Sequence, residues 1–501
     1  AVLDSGMDVA HKSFAAKLDF SGTRIKFKKD FTLEATNADK DLYGHGTHVA
    51  AAAAGLSTVT GGVYEGVARG ADIINLRVLD SDGAGRTSDV LAALNWILSP
   101  ADPSKPVSST NPTNATKYRI RVVNMSLGAP AVDSYLNDPL CKAVRRLVDA
   151  GLVVVAAAGN NGKDAADNKL YGRIHSPGNE PSAITVGATN TFGTDSRSDD
   201  GVATYSSRGP TRSYYTDAAG ERHYDNLVKP DLAAPGNKLV YAESDEGKGG
   251  NNRNLLVMQN PHLDSGVTDS DNRKLMYLSG TSMATPVVAG AAALMLQANP
   301  NLTPNMVKMI LMYTAQPLAG FNTLEQGAGQ LNVEGAVRLA GLVRTDLSSG
   351  ARQGAPLLTT RTLPEPLTTI AGFQFPWAQG VLLKQRYATG TGLIAAYQTV
   401  YGAGYLLGDG VVLGDGVVLG DGVVLGDGIL MGDNILTSNG FVMGEGAVFM
   451  PCGILLGDGV VLGDGVVLGD GVVLGDGILM GDAYVQAQSA MVNGDNTTSM
   501  K

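Results

Sequence analysis

The chain of 501 residues is 44% apolar and carries a net charge of −10, with 38 Lys and Arg against 48 Asp and Glu. That length has room for more than one domain, and the apolar content is ordinary for globular protein. An acidic chain has no basic footprint for nucleic acid, and no run of about 18 uncharged apolar residues outside glycine-broken repeats marks a membrane span.

The chain opens Ala1-Val2-Leu3-Asp4-Ser5-Gly6, an apolar strand ending in a carboxylate and a turn. Gly44-His45-Gly46-Thr47-His48-Val49 follows, running into an alanine-rich helical stretch that places His45 at a helix start. His48, three residues after His45, lacks the helical spacing and the glutamate of a zinc-protease motif, so a metal pair is not the reading. His11, His175, His223 and His262 have no comparable setting and read as surface or loop residues. Leu152–Ala158 is a buried apolar strand leading to Asn160 in a Gly-Asn-Asn-Gly turn.

Polar insertions at Ser99–Lys117, Lys163–Tyr171, Thr211–Asn226 and Glu243–Lys274 read as loops. The last holds Asp245, Glu246, Asp264, Asp269 and Asp271, without the ligand spacing of a recognisable calcium loop; a solvated loop is the favoured reading. Then comes Gly280-Thr281-Ser282-Met283-Ala284-Thr285-Pro286 before the apolar run Val287–Leu296, presenting a small nucleophile at the start of a buried helix. A lone Ser there is ordinarily a helix cap. Pro286 fits a first helical turn, where a missing N–H costs nothing. With Asp4 and His45, Ser282 completes an acid, a base and a nucleophile. Serine attacks when an imidazole takes its proton, and a third group holds that imidazole in one tautomer.

Together these motifs resemble the subtilisin-like serine proteases, and more closely the AprX-like branch of bacterial subtilases, over about residues 1–340. The order Asp, His, Ser is the one subtilisin carries. The runs Gly66–Ala71, Arg77–Gly83, Asn124–Gly128, Ala157–Asn160, Tyr205–Pro210 and Lys229–Gly236 match as well. The resemblance implies an α/β fold with a mostly parallel sheet flanked by helices, and a serine endopeptidase with Asp4, His45 and Ser282 as its triad. It implies Asn160 and the Ser282 N–H as oxyanion donors. Gly83-Ala84-Gly85 and Ser126-Leu127-Gly128 would be the two edges that clamp peptide and protein substrates by strand addition. Ala157, Ala158 and Gly159 would line a side-chain pocket of broad, apolar or aromatic preference. No cofactor is needed for the chemistry; Ca2+ is admitted as a structural ion, with no metal ligands assigned. The abrupt start at Ala1 suggests a processed or truncated N-terminus and a cleaved propeptide. Secretion to the cell surface or medium is expected. Cys141 and Cys452 fall in separate modules and do not call for a disulfide.

Past the helix Thr303–Thr314 the text changes. The domain reading is 1–344 protease, 345–404 linker and connecting segment, 405–483 repeat, and 484–501 tail. From Tyr405 to Ala483 the chain is thirteen near-hexads built on Val-Val-Leu-Gly-Asp-Gly, a short strand and a glycine turn each. Three-residue strands cannot bury a face alone, so an all-β module, a β-solenoid or stack of strands, is expected. The repeat holds ten Asp and one Glu with no Lys or Arg, which leaves the rest of the chain at +1. Aspartate ladders would need water, cations or staggering. Unpaired terminal strands point to a homo-oligomer or filament through residues 405–483, against a monomeric spacer or surface anchor. Two readings of a different class stay open: a structural filament protein in which the protease domain is mainly an assembly unit, and an adhesin using the acidic ladder.

Overall fold

The computed structural model describes residues 1–16, 21–34, 38–56, 63–247, 252–268, 270, 272–346, 357–360 and 363–389. It also describes six short strand segments between 411 and 468, and residues 488–499.

Short apolar runs ending in turns become the strands of one sheet. They are β1 (Val2–Asp4), β2 (Ile25–Asp30), β3 (Ile73–Arg77), β4 (Val122–Met125), β5 (Val153–Ala157), β6 (Ile184–Asn190) and β7 (Leu232–Pro235). Their order is β7-β6-β5-β4-β1-β3-β2, every pair parallel, with Gly201–Val202 added antiparallel to β6. The expected α/β class with a mostly parallel sheet is therefore present. Side-chain alternation splits the core in two. Val2, Val153 and Val155 face one cluster; Leu3, Val154 and Ala156 face the other.

Helices cover both faces. On one lie α1 (His45–Ala54) and α4 (Thr281–Ala298); on the other lie α2 (Thr87–Leu98) and α3 (Pro139–Asp149). Helix α4 is apolar on all sides, as a helix enclosed by protein must be. Among the described residues it alone is long and apolar enough to cross a membrane, yet 72% of it is buried inside the protein. Pro286 corrects an expectation. Helix α4 starts at Thr281, so Pro286 lies beyond the first turn and removes the N–H that would bond the Ser282 carbonyl. Helices α5 (Pro304–Thr314) and α6 (Val333–Leu342) complete this layer, α5 capped by the Thr303 side chain accepting from Met306 N.

Because β4 and β3 flank β1 on opposite sides, the connections diverge at the carboxyl ends of β1 and β4. That position is where open α/β sheets place their sites.

The expectation of a linker over 345–404 is corrected for 363–389. Two hairpins, Leu367–Ile370 with Phe373–Pro376 and Gly380–Leu383 with Arg386–Thr389, pack into the main core. Trp377, Val381, Leu382 and Tyr387 are buried, and Ala378 and Gln379 amides bond the carbonyls of Ala315 and Tyr313 at the end of α5. The Ser, Thr, Pro and Gly content that suggests a linker belongs to residues 345–367, and the buried apolar residues of the hairpins lie beyond it. The tail also docks: residues 488–493 form a helix whose Ala490 and Met491 are buried.

In the repeat, neighbouring units pair antiparallel: Val411–Val412 with Val418–Leu419, Ile435–Leu436 with Val442–Met443, and Val460–Leu462 with Val466–Leu468. The chain reverses between these units, unlike the parallel pairing of solenoid coils. The rest of the expected solenoid, its aspartate ladders and Cys452 lie outside the described residues. Cys141 is a free, buried thiol.

Trp377→Ala tests whether the hairpins belong to the folded body. Emptying a buried Trp site costs about 3–5 kcal/mol, so thermal unfolding should remain one transition at a lower midpoint. A bare linker would leave the midpoint unchanged.

Candidate active site

The site begins with two buried carboxylates beneath the N-terminus of α1. Asp4, at the end of β1, accepts His45 Nδ1–H at 2.7 Å and Ser5 N–H at 2.8 Å on Oδ1. Asp41 Oδ2 accepts the Thr47 amide and hydroxyl, each at 2.7 Å, and its Oδ1 accepts the Gly44 amide at 2.9 Å. Ser5 joins the two acids: its hydroxyl donates to Asp41 Oδ1 at 2.8 Å and accepts the Gly46 amide at 2.9 Å. Carboxylates belong at a helix N-terminus, where unpaired amides and the helix dipole favour negative charge. Gly46 is required here, since any Cβ would strike the Gly6 carbonyl and come within 3.1 Å of the Asp4 Cβ.

Burial alone would lower the His45 imidazole. The Asp4 carboxylate and its hydrogen bond, with Asp41 behind, outweigh burial and hold His45 above its ordinary value. With Nδ1–H fixed on Asp4, Nε2 is the basic nitrogen. His48 is a different kind of residue. Burial drives it down to about 3, and its Nε2 lies 3.0 Å from the Leu239 carbonyl on the strand Leu239–Ala242. It is a neutral anchor of α1.

Ser282 is the second residue of α4 and is half-buried. The preceding Gly280, at φ +137°, turns the chain from the strand Leu275–Leu278 into the helix. Asn160 Oδ1 accepts both the amide (2.9 Å) and the hydroxyl (3.0 Å) of Thr281, while Thr281 Oγ1 accepts the Gly159 amide at 3.1 Å. The Asn160 amide is thereby oriented, with its NH2 on the Gly280 side. Met283 and Ala284 amides bond the Gly280 carbonyl, and of the first four amides of α4 the Ser282 N–H has no partner among the described residues. The carbonyl orphaned by Pro286 is satisfied from outside the helix: Ser126 Oγ donates to Ser282 O at 2.7 Å.

The remaining expected residues surround this point. Leu127 is half-buried and Gly128 exposed beyond β4; Ala84 and Gly85 are exposed on a tight loop held by Asp80, and the Tyr43 ring lies over Gly83. Ala157, Ala158 and Gly159 are buried at the end of β5. Sequence reading missed Asp41, Ser5 and Thr281. Asp41, three residues before Gly44, was the available signal for a helix N-terminus.

Two histidines correct the surface reading. His11 is buried with Nε2 2.9 Å from the Lys274 carbonyl, and burial lowers it to about 4. His175 lies in the strand His175–Ser176, its ring beside Gly128 and Gly159 and Nε2 2.8 Å from Asn161 Oδ1; burial lowers it to about 4 as well. His223 and His262 are exposed as expected. Among the described residues, one group gathers three metal-ligating atoms within 4.8 Å: Asp217, Glu221 and His223. Asp217 Oδ1 accepts the Ala219 and Glu221 amides there, so turn geometry accounts for the clustering. Asp245, Glu246 and Asp264 form no such group, and Asp269 and Asp271 lie outside the described residues.

Residues 1–336 match the family described as Subtilase family. The chain is similar to Serine protease AprX of Bacillus subtilis (strain 168), with 35% identity over 300 residues, 59% of this chain and 58% of that protein. It is 31% identical over 316 residues to the Extracellular serine proteinase of Thermus sp. (strain Rt41A), 63% and 54% of the two chains. Subtilisin E of Bacillus subtilis (strain 168) is 30% identical over 338 residues, 68% and 65%. The chain spans little more than half the length of the first two.

Asp41→Ala would leave several buried donors without an acceptor, at about 1–3 kcal/mol each. The expected result is a clearly lowered unfolding midpoint and a broadened His45 resonance in imidazole NMR.

Glu243 gives a second test. It is fully buried, neither carboxylate oxygen has a hydrogen-bond partner among the described residues, and burial, with Asp264 next, pushes it up to about 7. Asp8, buried and facing Asp245, is also raised to about 7. Both bind a proton in the folded chain between the unfolded value, about 4, and 7. Stability must therefore fall as pH rises through that window. Glu243→Gln should show a smaller drop in unfolding midpoint between pH 5 and pH 8 than the parent chain.

Proposed function

The chain belongs to the subtilase family, and on that premise we propose that it is a serine endopeptidase acting through Asp4, His45 and Ser282. The observation that carries the reading is the buried 2.7 Å bond from His45 Nδ1 to Asp4, which fixes the tautomer a general base needs. His45 Nε2 takes the proton of Ser282 Oγ as Oγ attacks the scissile carbonyl carbon. The oxyanion is held by the Ser282 N–H and the Asn160 NH2, whose oxygen Thr281 already occupies. His45 then gives its proton to the leaving amine, and the C–N bond breaks. Water, deprotonated by His45, attacks the acyl-enzyme and releases the acid. In subtilisin, loss of the corresponding amide costs about 100–1000-fold in turnover, and Asn160 is assigned the same scale on that precedent.

Peptide and protein substrates would add as a strand between Gly83-Ala84-Gly85 and Ser126-Leu127-Gly128. The side chain before the cut bond would meet Ala157, Ala158 and Gly159, small residues that favour an apolar occupant. The His175 ring packed behind Gly128 and Gly159 would limit its depth. Residues 1–344 are the proteolytic module in this reading, extended by the docked hairpins. Residues 405–483 join copies of the chain through their strand edges, and the enzyme works outside the cell, where Ca2+ is available as a structural ion.

A fluorophosphonate serine probe tests the chemistry. The full chain should label, and Ser282→Ala and His45→Ala should each abolish labelling. Since His45 is held above its ordinary value of about 6.5, the labelling rate should rise with pH along a limb centred above that value. Asp4→Asn should lower the rate by about 10,000-fold, the loss seen for the equivalent change in a serine protease triad. Labelling that survives Ser282→Ala would remove the assignment.

A further inference from the structure

Far outside the family match, residues 488–499 return to the carboxyl end of the sheet and seat beside the nucleophile's turn. The Met491 carbonyl accepts the Ser279 amide at 2.9 Å, three residues before Ser282. Asp495 is held at both ends: its amide donates to Asn237 Oδ1 at 2.7 Å, and its carboxylate accepts the Thr204 amide at 3.0 Å and the Thr204 hydroxyl. Asn237 Nδ2 donates to Thr497 Oγ1 at 3.0 Å, and Lys238 Nζ donates to the Thr497 carbonyl at 2.8 Å. Thr498 Oγ1 donates to the Phe192 carbonyl at 2.7 Å. Gly494, at φ +59°, lies so close to Ser279 and Asn237 that no side chain would fit.

The gripped residues build the nucleophile's support. Lys238 N–H donates to Ser279 Oγ at 2.9 Å, and Gly280 N–H donates to the Gly236 carbonyl at 2.8 Å. The segment thus binds both strands of the turn that delivers Gly280, Thr281 and Ser282 to Asn160. The helix buries Ala490 and Met491 and bonds the buried Ser279, and the polar stretch after it bonds the buried Asn237, the half-buried Lys238 and the exposed Thr204 and Phe192, so the occupant of this surface is a segment of the same chain.

We propose that residues 488–499 are a clasp that positions Ser282, docking on a peptide-binding surface formed by Phe192, Thr204, Asn237, Lys238 and Ser279. The clasp rests on the protease reading for its effect on rate, and not for its binding. Misplacing a reacting group by an ångström costs on the order of 100-fold in rate. A chain ending at residue 487 should therefore lose 10- to 100-fold in the maximal rate of fluorophosphonate labelling and in kcat, with KM for a peptide substrate within about twofold. A synthetic peptide of residues 488–501 added in trans should restore the rate saturably, and the same peptide with Asp495→Ala should not. Should the shortened chain fail to fold, Asp495→Ala and Thr204→Val in the full chain carry the test, with the same selective fall in kcat expected. Unchanged labelling and kcat in the folded truncation, or in both point variants, would overturn the proposal. If the full chain does not label at all, the protease reading falls instead. The clasp then stands on saturable binding of the fluorescent peptide to the truncated chain, and its absence overturns it.

Discussion

Two carboxylates buried under one helix end are the constraint on which the site is built. Asp4 and Asp41 would repel each other and lose their hydration if left alone. What stabilises them is the ring of donors at the start of α1: the Gly44 and Thr47 amides, the Thr47 and Ser5 hydroxyls, and His45 itself. A carboxylate bonded to backbone amides at a helix N-terminus is among the stronger arrangements available to a buried charge. The consequence for His45 is twofold. Its ring has one orientation, and its basicity is raised by charges that cannot reorient away from it. Gly46 lets the helix come close enough for this to happen.

A similar logic, with the polarity reversed, governs Ser282, the proposed nucleophile. Pro286 deletes a helix hydrogen bond and exposes a carbonyl, and Ser126 satisfies it from the end of β4. The strand edge expected to receive substrate is thereby tied to the main chain of Ser282. On the other side Thr281 is tied to Asn160, at the end of β5. Three parallel strands thus end in groups bonded to one turn of α4 or to α1. A displacement of either helix along the sheet would break several buried hydrogen bonds at once, each costly to leave unmade.

The sequence was most legible where chemistry depends on residue identity and local order. Asp4 after an apolar strand, His45 at the head of an alanine run and Ser282 before another apolar run each predicted its local element, and the helix expected over Thr303–Thr314 forms at Pro304–Thr314, with Thr303 outside it as the cap. Failures have specific causes. Trp377 and its neighbours lie beyond the Ser, Thr and Pro-rich stretch 345–367 on which the linker reading rests, and their own apolar residues find a partner at the end of α5 only in the folded chain. His11 and His175 sit among polar neighbours in sequence, yet their partners, Lys274 and Asn161, come from other segments. The first-turn placement of Pro286 fails because the strand ends at Leu278 and Gly280 starts the helix at Thr281, a boundary the local sequence does not mark.

By itself the amino-acid order determined the types of the elements, the alternation that makes a parallel sheet, and the kinds of side chain able to act as acid, base and nucleophile. Those are local properties, set by backbone propensity, hydrophobic period and the pKa range of each group. The tertiary structure alone decided which groups meet: that Asp41 and Ser5 complete the seat of His45, that Ser126 replaces a bond Pro286 cannot make, and that residues 488–499 close on Ser279. These contacts join residues hundreds of positions apart: 306 separate Phe192 from Thr498. No local pattern encodes them, because they exist only once the sheet order has brought the carboxyl ends of its strands together.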